Sequence, residues 1–217
     1  MQIDLTQPIE TGMQTYPGDP PVAVHPHATH AGDGARVSSL ECGSHTGTHV
    51  DAPAHTEPDG RTLDSYPLER FVFDAVRVDC RDLEARESIP ASRVPDSDAD
   101  LAAFWTGWDA HWGTDRYLEH PSLSPAAAET CADRGLDVAV DTLNPDPTPT
   151  EGAGADEPDG VPAHHALLGD DRLILENLTG LEAVGERFEL RAYPLALAGD
   201  GAPVRAVGVR DGGDSSH

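Results

Sequence analysis

Three histidines and one aspartate, His45, His49, Asp51 and His55, fall within the eleven residues from His45 to His55. Imidazole and carboxylate are natural donors for zinc, manganese or iron, and this spacing lets one short segment supply several at once. Eleven histidines in 217 residues give some close pairs by chance, but four donors packed this densely read as a metal site. His45 and His49 have helical spacing, yet Gly47, the β-branched Thr46, Thr48 and Val50, and Pro53 all disfavour a helix there. An extended segment with a turn at Gly47 is expected instead. His49 and Asp51 then share one face of a strand end, and the turn brings His45 back beside them. Asp51 has two oxygens with which to bridge two ions. Pro53 stiffens the exit and presents His55 to the same pocket as its proton carrier. Ser44 beside His45 invites a nucleophile reading, but it lacks the G-x-S-x-G elbow.

The run His45-Thr46-Gly47-Thr48-His49-Val50-Asp51-Ala52-Pro53-Ala54-His55 resembles the H-x-G-T-H-x-D-x-P-x-H signature of the cyclase family of metal-dependent hydrolases. That family includes bacterial kynurenine formamidase and isatin hydrolase. The likeness runs from Ile3-Asp4-Leu5-Thr6 and Tyr16-Pro17-Gly18-Asp19-Pro20 to Leu175-Glu176-Asn177-Leu178. Read alone, Glu176 in its apolar run faces solvent on the outer side of a strand, since a buried carboxylate needs an ion or partner. The resemblance reverses this: family members carry a histidine twelve residues before a bridging glutamate, and His164, not His165, stands at that distance from Glu176. It implies His45 and His49 on a first ion, His164 on a second, and Asp51 and Glu176 in contact with both. Tyr16 stands where kynurenine formamidases carry an aromatic residue, usually tryptophan, against the substrate ring; read alone it is as good a loop anchor.

Two divalent ions per subunit, zinc first and manganese second, are therefore the expected cofactors. They would lower the pKa of a shared water for attack on an amide carbon, with His55 protonating the leaving nitrogen. The leading substrate is an aryl formamide such as N-formylkynurenine. Isatin-type lactam opening uses the same residues, a cyclase or dehydratase would consume substrate without water, and a non-catalytic metal-binding module would have no use for His55. The resemblance also implies an α/β chain with a layered β/β/α fold of the swivelling type, a mixed sheet and flanking helices. It implies a homodimer or larger homo-oligomer, with loops of one subunit approaching the other's pocket.

Length favours one domain, taken as residues 1–210 with a polar tail over 211–217. The chain carries 39 acidic and 14 basic residues, a formal charge of −25, and no lysine. Such a surface repels nucleic acid and anionic membrane, leaving a small-molecule substrate as the expected partner. Dispersed acidity without lysine suggests work in concentrated salt, where self-repulsion is screened. Cys42, Cys80 and Cys131 are odd in number and widely spaced, which argues against disulfides or a thiolate zinc site. No signal segment or bilayer-length apolar run is visible, so a cytoplasmic location is expected.

The elements that must position the donors follow from pattern. Gln2–Ile9, Val22–His25, Ala35–Cys42, Phe71–Asp79, Leu101–Trp105, Leu136–Val140, Leu173–Leu178, Phe188–Leu197 and Val204–Arg210 read as strands. Ser124–Gly135 reads as a helix, with serine as its cap, proline in its first turn and glycine at its end. His25, His27 and His30 are assigned to the surface, and His111 and His120 to structure. The loop over 106–114, with Trp108 and Trp112, suits a pocket wall. The loop from Asn144 to Pro162 is too long for an ordinary connection and reads as a lid or mobile insertion.

Overall fold

A computed structural model describes residues 1–210; the tail read over 211–217 lies outside the described residues. Its strands are β1 (Gln2–Asp4), β2 (Ala23–Ala28), β3 (Val37–Glu41), β4 (His49–Asp51), β5 (Val72–Asp79), β6 (Ser88–Ile89) and β7 (Leu101–Trp105), followed by β8 (Ser122–Leu123), β9 (Asp137–Val140), β10 (Ile174–Glu176), β11 (Arg187–Arg191), β12 (Gly201–Pro203) and β13 (Val207–Val209). The α-helices are α1 (His30–Asp33), α2 (Pro125–Asp133) and α3 (Pro162–Leu168).

Nine strands form one mixed sheet in the order β1-β13-β11-β5-β7-β9-β10-β4-β12. The centre, β5, β7, β9 and β10, is parallel, and both flanks are antiparallel. Parallel strands buried on both faces read as apolar runs, which is why Leu101–Trp105 shows no polar alternation. Successive side chains still separate by period two. Ala102, Phe104, Val138, Val140 and Ile174 face α2 and α3 through Ala127, Ala128, Cys131, Ala163, Leu167 and Leu168. Leu101, Ala103, Trp105, Ala139 and Leu175 share the other core with Val50, Phe73, Leu190 and Ala202 from the remaining strands. Neither α2 nor α3 contributes to that second core, so the sheet curls over it and covers itself. This is the expected β/β/α layering. No helix among the described residues is long and apolar enough to cross a membrane.

Helix α2 forms as its signals dictate: the Ser124 hydroxyl accepts from Ala127 N, proline occupies the first turn, and Gly135 adopts a left-handed φ of 72° just beyond the end. Several strands are shorter than their patterns. The Gln2–Ile9 run pairs as a strand over Gln2–Asp4, with one further bridge from Thr6 to Leu178. The run from Phe188 stops at Arg191, and Gly201–Pro203, too short and proline-bearing to read as a strand, forms the sheet edge beside β4. His25 and His27 lie on the exposed β2–β3 hairpin and His30 on α1, all at the surface.

The long loop after β9 departs most from expectation. Asn144, Asp146 and Thr148 are buried, so its first part is interior wall, not a lid. Asn144 Oδ1 accepts from Asp146 N at 2.8 Å, its Nδ2 donates to Thr148 Oγ1 at 3.1 Å, and the buried His120 ring bonds that hydroxyl at 2.8 Å. Only the turns beyond it are exposed, and Arg86 ties them back through Glu157 and through Thr150 Oγ1 at 3.1 Å. Burial pushes the His120 pKa down to about 4, so the ring is held neutral. The unfolded chain takes up this proton near pH 6.5 and the folded chain only near 4, so the contribution is fully present above 6.5 and is lost as pH falls toward 4. Replacing His120 with Gln is therefore expected to flatten the acid limb of stability by about 3 kcal/mol between those limits, read by urea unfolding at several pH values. Parallel curves for the two proteins would show that His120 does not set this limb.

Candidate metal centre

Two chain segments meet because β4 lies antiparallel between β10 and β12. The register sets Glu176 opposite His49 and Ile174 opposite Asp51, while Gly201 faces Asp51 from the other side. Gly47 takes a left-handed φ of 59°, which folds His45 back until its Nδ1 lies 2.7 Å from Asp51 Oδ1. His49 Nε2 stands 3.2 Å from the same oxygen and 3.3 Å from Glu176 Oε2. Helix α3 delivers His164, whose Nε2 is 3.2 Å from Glu176 Oε1 and 3.9 Å from Asp51 Oδ2. His45, His49 and Asp51 bring donor atoms within 4.8 Å of one another, as do Asp51, His164 and Glu176, so Asp51 belongs to both groups. His165, the next residue in the chain, points outward to Glu57 at 2.9 Å.

Each inner histidine has its outer nitrogen engaged. His49 Nδ1 donates to the Gly47 carbonyl at 2.7 Å, and His164 Nδ1 donates to Asp146 Oδ2 at 2.7 Å. His45 Nε2 lies 2.9 Å from Asp200 Oδ2. Partners of this kind fix the tautomer and aim the remaining lone pair, as around ligating histidines generally. Asp146 also accepts from the backbone of Ala163 at 2.8 Å and His164 at 3.1 Å, capping α3, which has no side-chain cap of its own.

Charge and burial conflict here. Burial opposes ionisation of Asp51, but His49 and His45 outweigh it and hold its carboxyl well below the usual range. Burial and Asp51 push Glu176 up, and His164 and His49 draw it below its ordinary value. Burial opposes charge on His164 too, yet Asp146 and Glu176 raise it to about 10. Even so, His49 Nε2, Asp51 Oδ2 and Glu176 Oε1 are buried without a hydrogen bond, because the approaches of 3.2 and 3.3 Å between rings and carboxylates lack hydrogen-bond geometry. Such an atom costs about 1–3 kcal/mol, and more when charged. All three are ligand-type atoms converging on one place, so the donor set fits divalent cations.

His55 follows on a short 3-10 turn led by Pro53, its ring centroid 3.9 Å from that of His45 and 5.4 Å from that of His164. Burial lowers its pKa, Asp51 opposes this, and His45 and His164 lower it further, leaving a neutral, partly open imidazole. Tyr16 is half-buried against the cluster of Trp108, Tyr117 and Leu143. Burial raises its phenol pKa, and the charges of Asp146, Asp19 and Glu176 raise it further. Trp108 is itself buried, with its indole N–H donating to the Arg116 carbonyl at 3.1 Å, so it packs the wall instead of presenting a free face. The Asp141 carboxylate pins the start of that loop by accepting from Thr106 N at 3.0 Å and Gly107 N at 2.7 Å.

Three positions that structure the candidate site carry little sequence signal. Asp146 and Asp200 sit among many acidic residues in Pro- and Gly-rich loops. Asn177, directly after Glu176, adopts φ 56°, a conformation that asparagine tolerates better than most residues. Its Nδ2 donates to the Gly47 carbonyl at 3.1 Å, its Oδ1 accepts from Tyr117 Oη at 2.9 Å, and its carbonyl accepts from Thr48 Oγ1 at 2.7 Å. It therefore ties the two donor segments together.

The family model described as "Putative cyclase" matches residues 3–147. The chain is 33% identical over 226 residues to a kynurenine formamidase of Salinibacter ruber, covering 98% of each chain. In fold it is similar to an isatin hydrolase bound to the product analogue thioisatinate, with TM-score 0.82, 22% identity and coverage of 95% of this chain and 91% of that one. It is similar as well to a potential metal-dependent hydrolase with cyclase activity, with TM-score 0.77, 26% identity and coverage of 97% and 98%.

Removing the carboxylate that aims His164 is expected to weaken zinc binding about 10–100-fold in Asp146→Ala, while His165→Ala leaves it unchanged. Chelator competition measures both. Equal losses in the two variants would contradict the inward role of His164.

Proposed function

The chain belongs to the cyclase family, and on that premise we propose that it is a metal-dependent hydrolase releasing formate from a small aryl formamide such as N-formylkynurenine. The observation that carries this reading is the convergence of His49 Nε2, Asp51 Oδ2 and Glu176 Oε1, buried and unpartnered, beneath a neutral histidine. His45, His49 and Asp51 would hold one divalent ion and Asp51, His164 and Glu176 a second, with zinc or manganese suiting this nitrogen and oxygen set. Bound there, such ions supply Lewis acidity toward a water and a carbonyl oxygen.

The remaining work belongs to side chains. The neutral His55 imidazole accepts a proton from the attacking water and returns it to the leaving anilide nitrogen, as a positioned general base and then acid. Tyr16, at the edge of the aromatic cluster, offers a flat surface to the aryl ring. Trp108 and Tyr117 back it from below.

Assembly and solvent belong to the same reading. The β2–β3 hairpin pairs only with itself and exposes Val24, Val37 and Leu40, which supports a homo-oligomer built partly on this arm. A charge of −25 with no lysine supports operation in concentrated salt and gives no purchase for nucleic acid or anionic membrane.

The test is formate release in molar salt by enzyme stripped with chelator and reloaded with zinc or with manganese. Turnover of N-formylkynurenine that returns with metal and falls at least 100-fold in His55→Ala is expected. Full metal occupancy with no formate, but with opening of isatin, would replace the formamide by a cyclic amide.

A further inference from the structure

Asp200 lies outside the signature and comes from the segment that leads into β12. Its backbone is fixed: Ala52 N donates to the Asp200 carbonyl at 2.8 Å, and the next residue, Gly201, pairs with Asp51. Gly201 has to be glycine, because a Cβ there would sit 2.7 Å from the His45 ring. This close approach lets one carboxylate oxygen meet two rings. Asp200 Oδ2 is 2.9 Å from His45 Nε2 and 3.5 Å from His55 Nδ1, and the two rings lie 3.9 Å apart, centre to centre, at 39°.

The two histidines do different things in the reading given above. His45 presents Nδ1 toward Asp51 and the metal donors, so its Nε2 must carry a proton and needs an acceptor. His55 shuttles a proton through the nitrogen that faces the pocket, so its Nδ1 must stay protonated and point away. A single fixed acceptor meets both requirements. We infer that Asp200 is a positioning residue shared by the metal-holding His45 and the proton-carrying His55, locking both tautomers through one oxygen. A base held by a third group is the general arrangement of activated proton carriers. Here the third group is also the outer partner of a metal ligand, which couples the orientation of the shuttle to the integrity of the metal centre. The longer 3.5 Å separation to His55 is of the kind that tightens when substrate closes the site.

The inference rests on the hydrolase reading for the role of His55, but its test does not need turnover. Zinc-loaded protein with nitrogen-15-labelled histidine is compared with Asp200→Ala and Asp200→Asn by imidazole NMR, and zinc affinity is measured by chelator competition. The Asp200 side chain is 42% exposed, so both variants should fold, and circular dichroism checks this. The wild type should show a single Nδ1–H tautomer for His55. In Asp200→Ala it should become a mixture, with zinc affinity down about 10–100-fold. Asp200→Asn, which keeps an acceptor oxygen, should fall between the two. In turnover, Asp200→Ala should lower kcat with little change in KM, and should lower kcat no further in a His55→Ala background. An unchanged His55 tautomer, or the same kcat loss with and without His55, would overturn the shared role. If no formamide is turned over, the hydrolase reading fails while the tautomer and affinity results still decide the placement of Asp200.

Discussion

Asp51 is a carboxylate with no solvent exposure, facing a second buried carboxylate, Glu176, across the His49 and His164 rings. Removing even one unpaired charge from water costs several kcal/mol, against a total stability for a domain of about 5–15 kcal/mol. Imidazoles beside the two carboxylates compensate part of this, and Asp146 and Glu176 in turn raise the pKa of His164. They do so incompletely, since three donor atoms remain without partners. Divalent cations bound there would satisfy all three and remove the repulsion between Asp51 and Glu176. The site is therefore a place where folding and ion binding share one free energy.

The scaffold can be understood as the means of holding those groups against their own electrostatics. Strand β4 is only three residues long, yet it is flanked on both sides, and its register with β10 sets His49 against Glu176. Two residues suited to left-handed backbone conformations serve this purpose: Gly47 turns His45 inward, and Asn177 bonds back to the Gly47 carbonyl. Helix α3 would be a weak element alone, with seven residues and no side-chain cap, and Asp146 supplies both its cap and the orientation of its histidine.

How far the sequence reveals this depends on the range of each interaction. The density of donors between His45 and His55, the turn at Gly47 and the capped helix after Ser124 are local patterns and could be read directly. Glu176 could not, because a lone carboxylate in an apolar run points to solvent until its strand partner is known; the family spacing supplied that knowledge. Asp146 and Asp200 were hidden by composition, since they are two of 39 acidic residues and become distinctive only through contacts 18 and 155 positions away. The interior role of the first part of the loop from Asn144 is hidden for the same reason. Its Pro and Gly content suggested mobility, whereas its polar side chains bond one another in the interior.

The account stands or falls on Asp51 serving two ions at once. The direct measurement is the number of divalent ions retained per chain, by mass spectrometry of the metal content after dialysis, in the wild type and in Glu176→Gln and Asp51→Asn. The account predicts two zinc ions per chain in the wild type, one retained in Glu176→Gln and neither held tightly in Asp51→Asn. A wild type that retains no zinc, or an Asp51→Asn protein that still holds two ions, would contradict it.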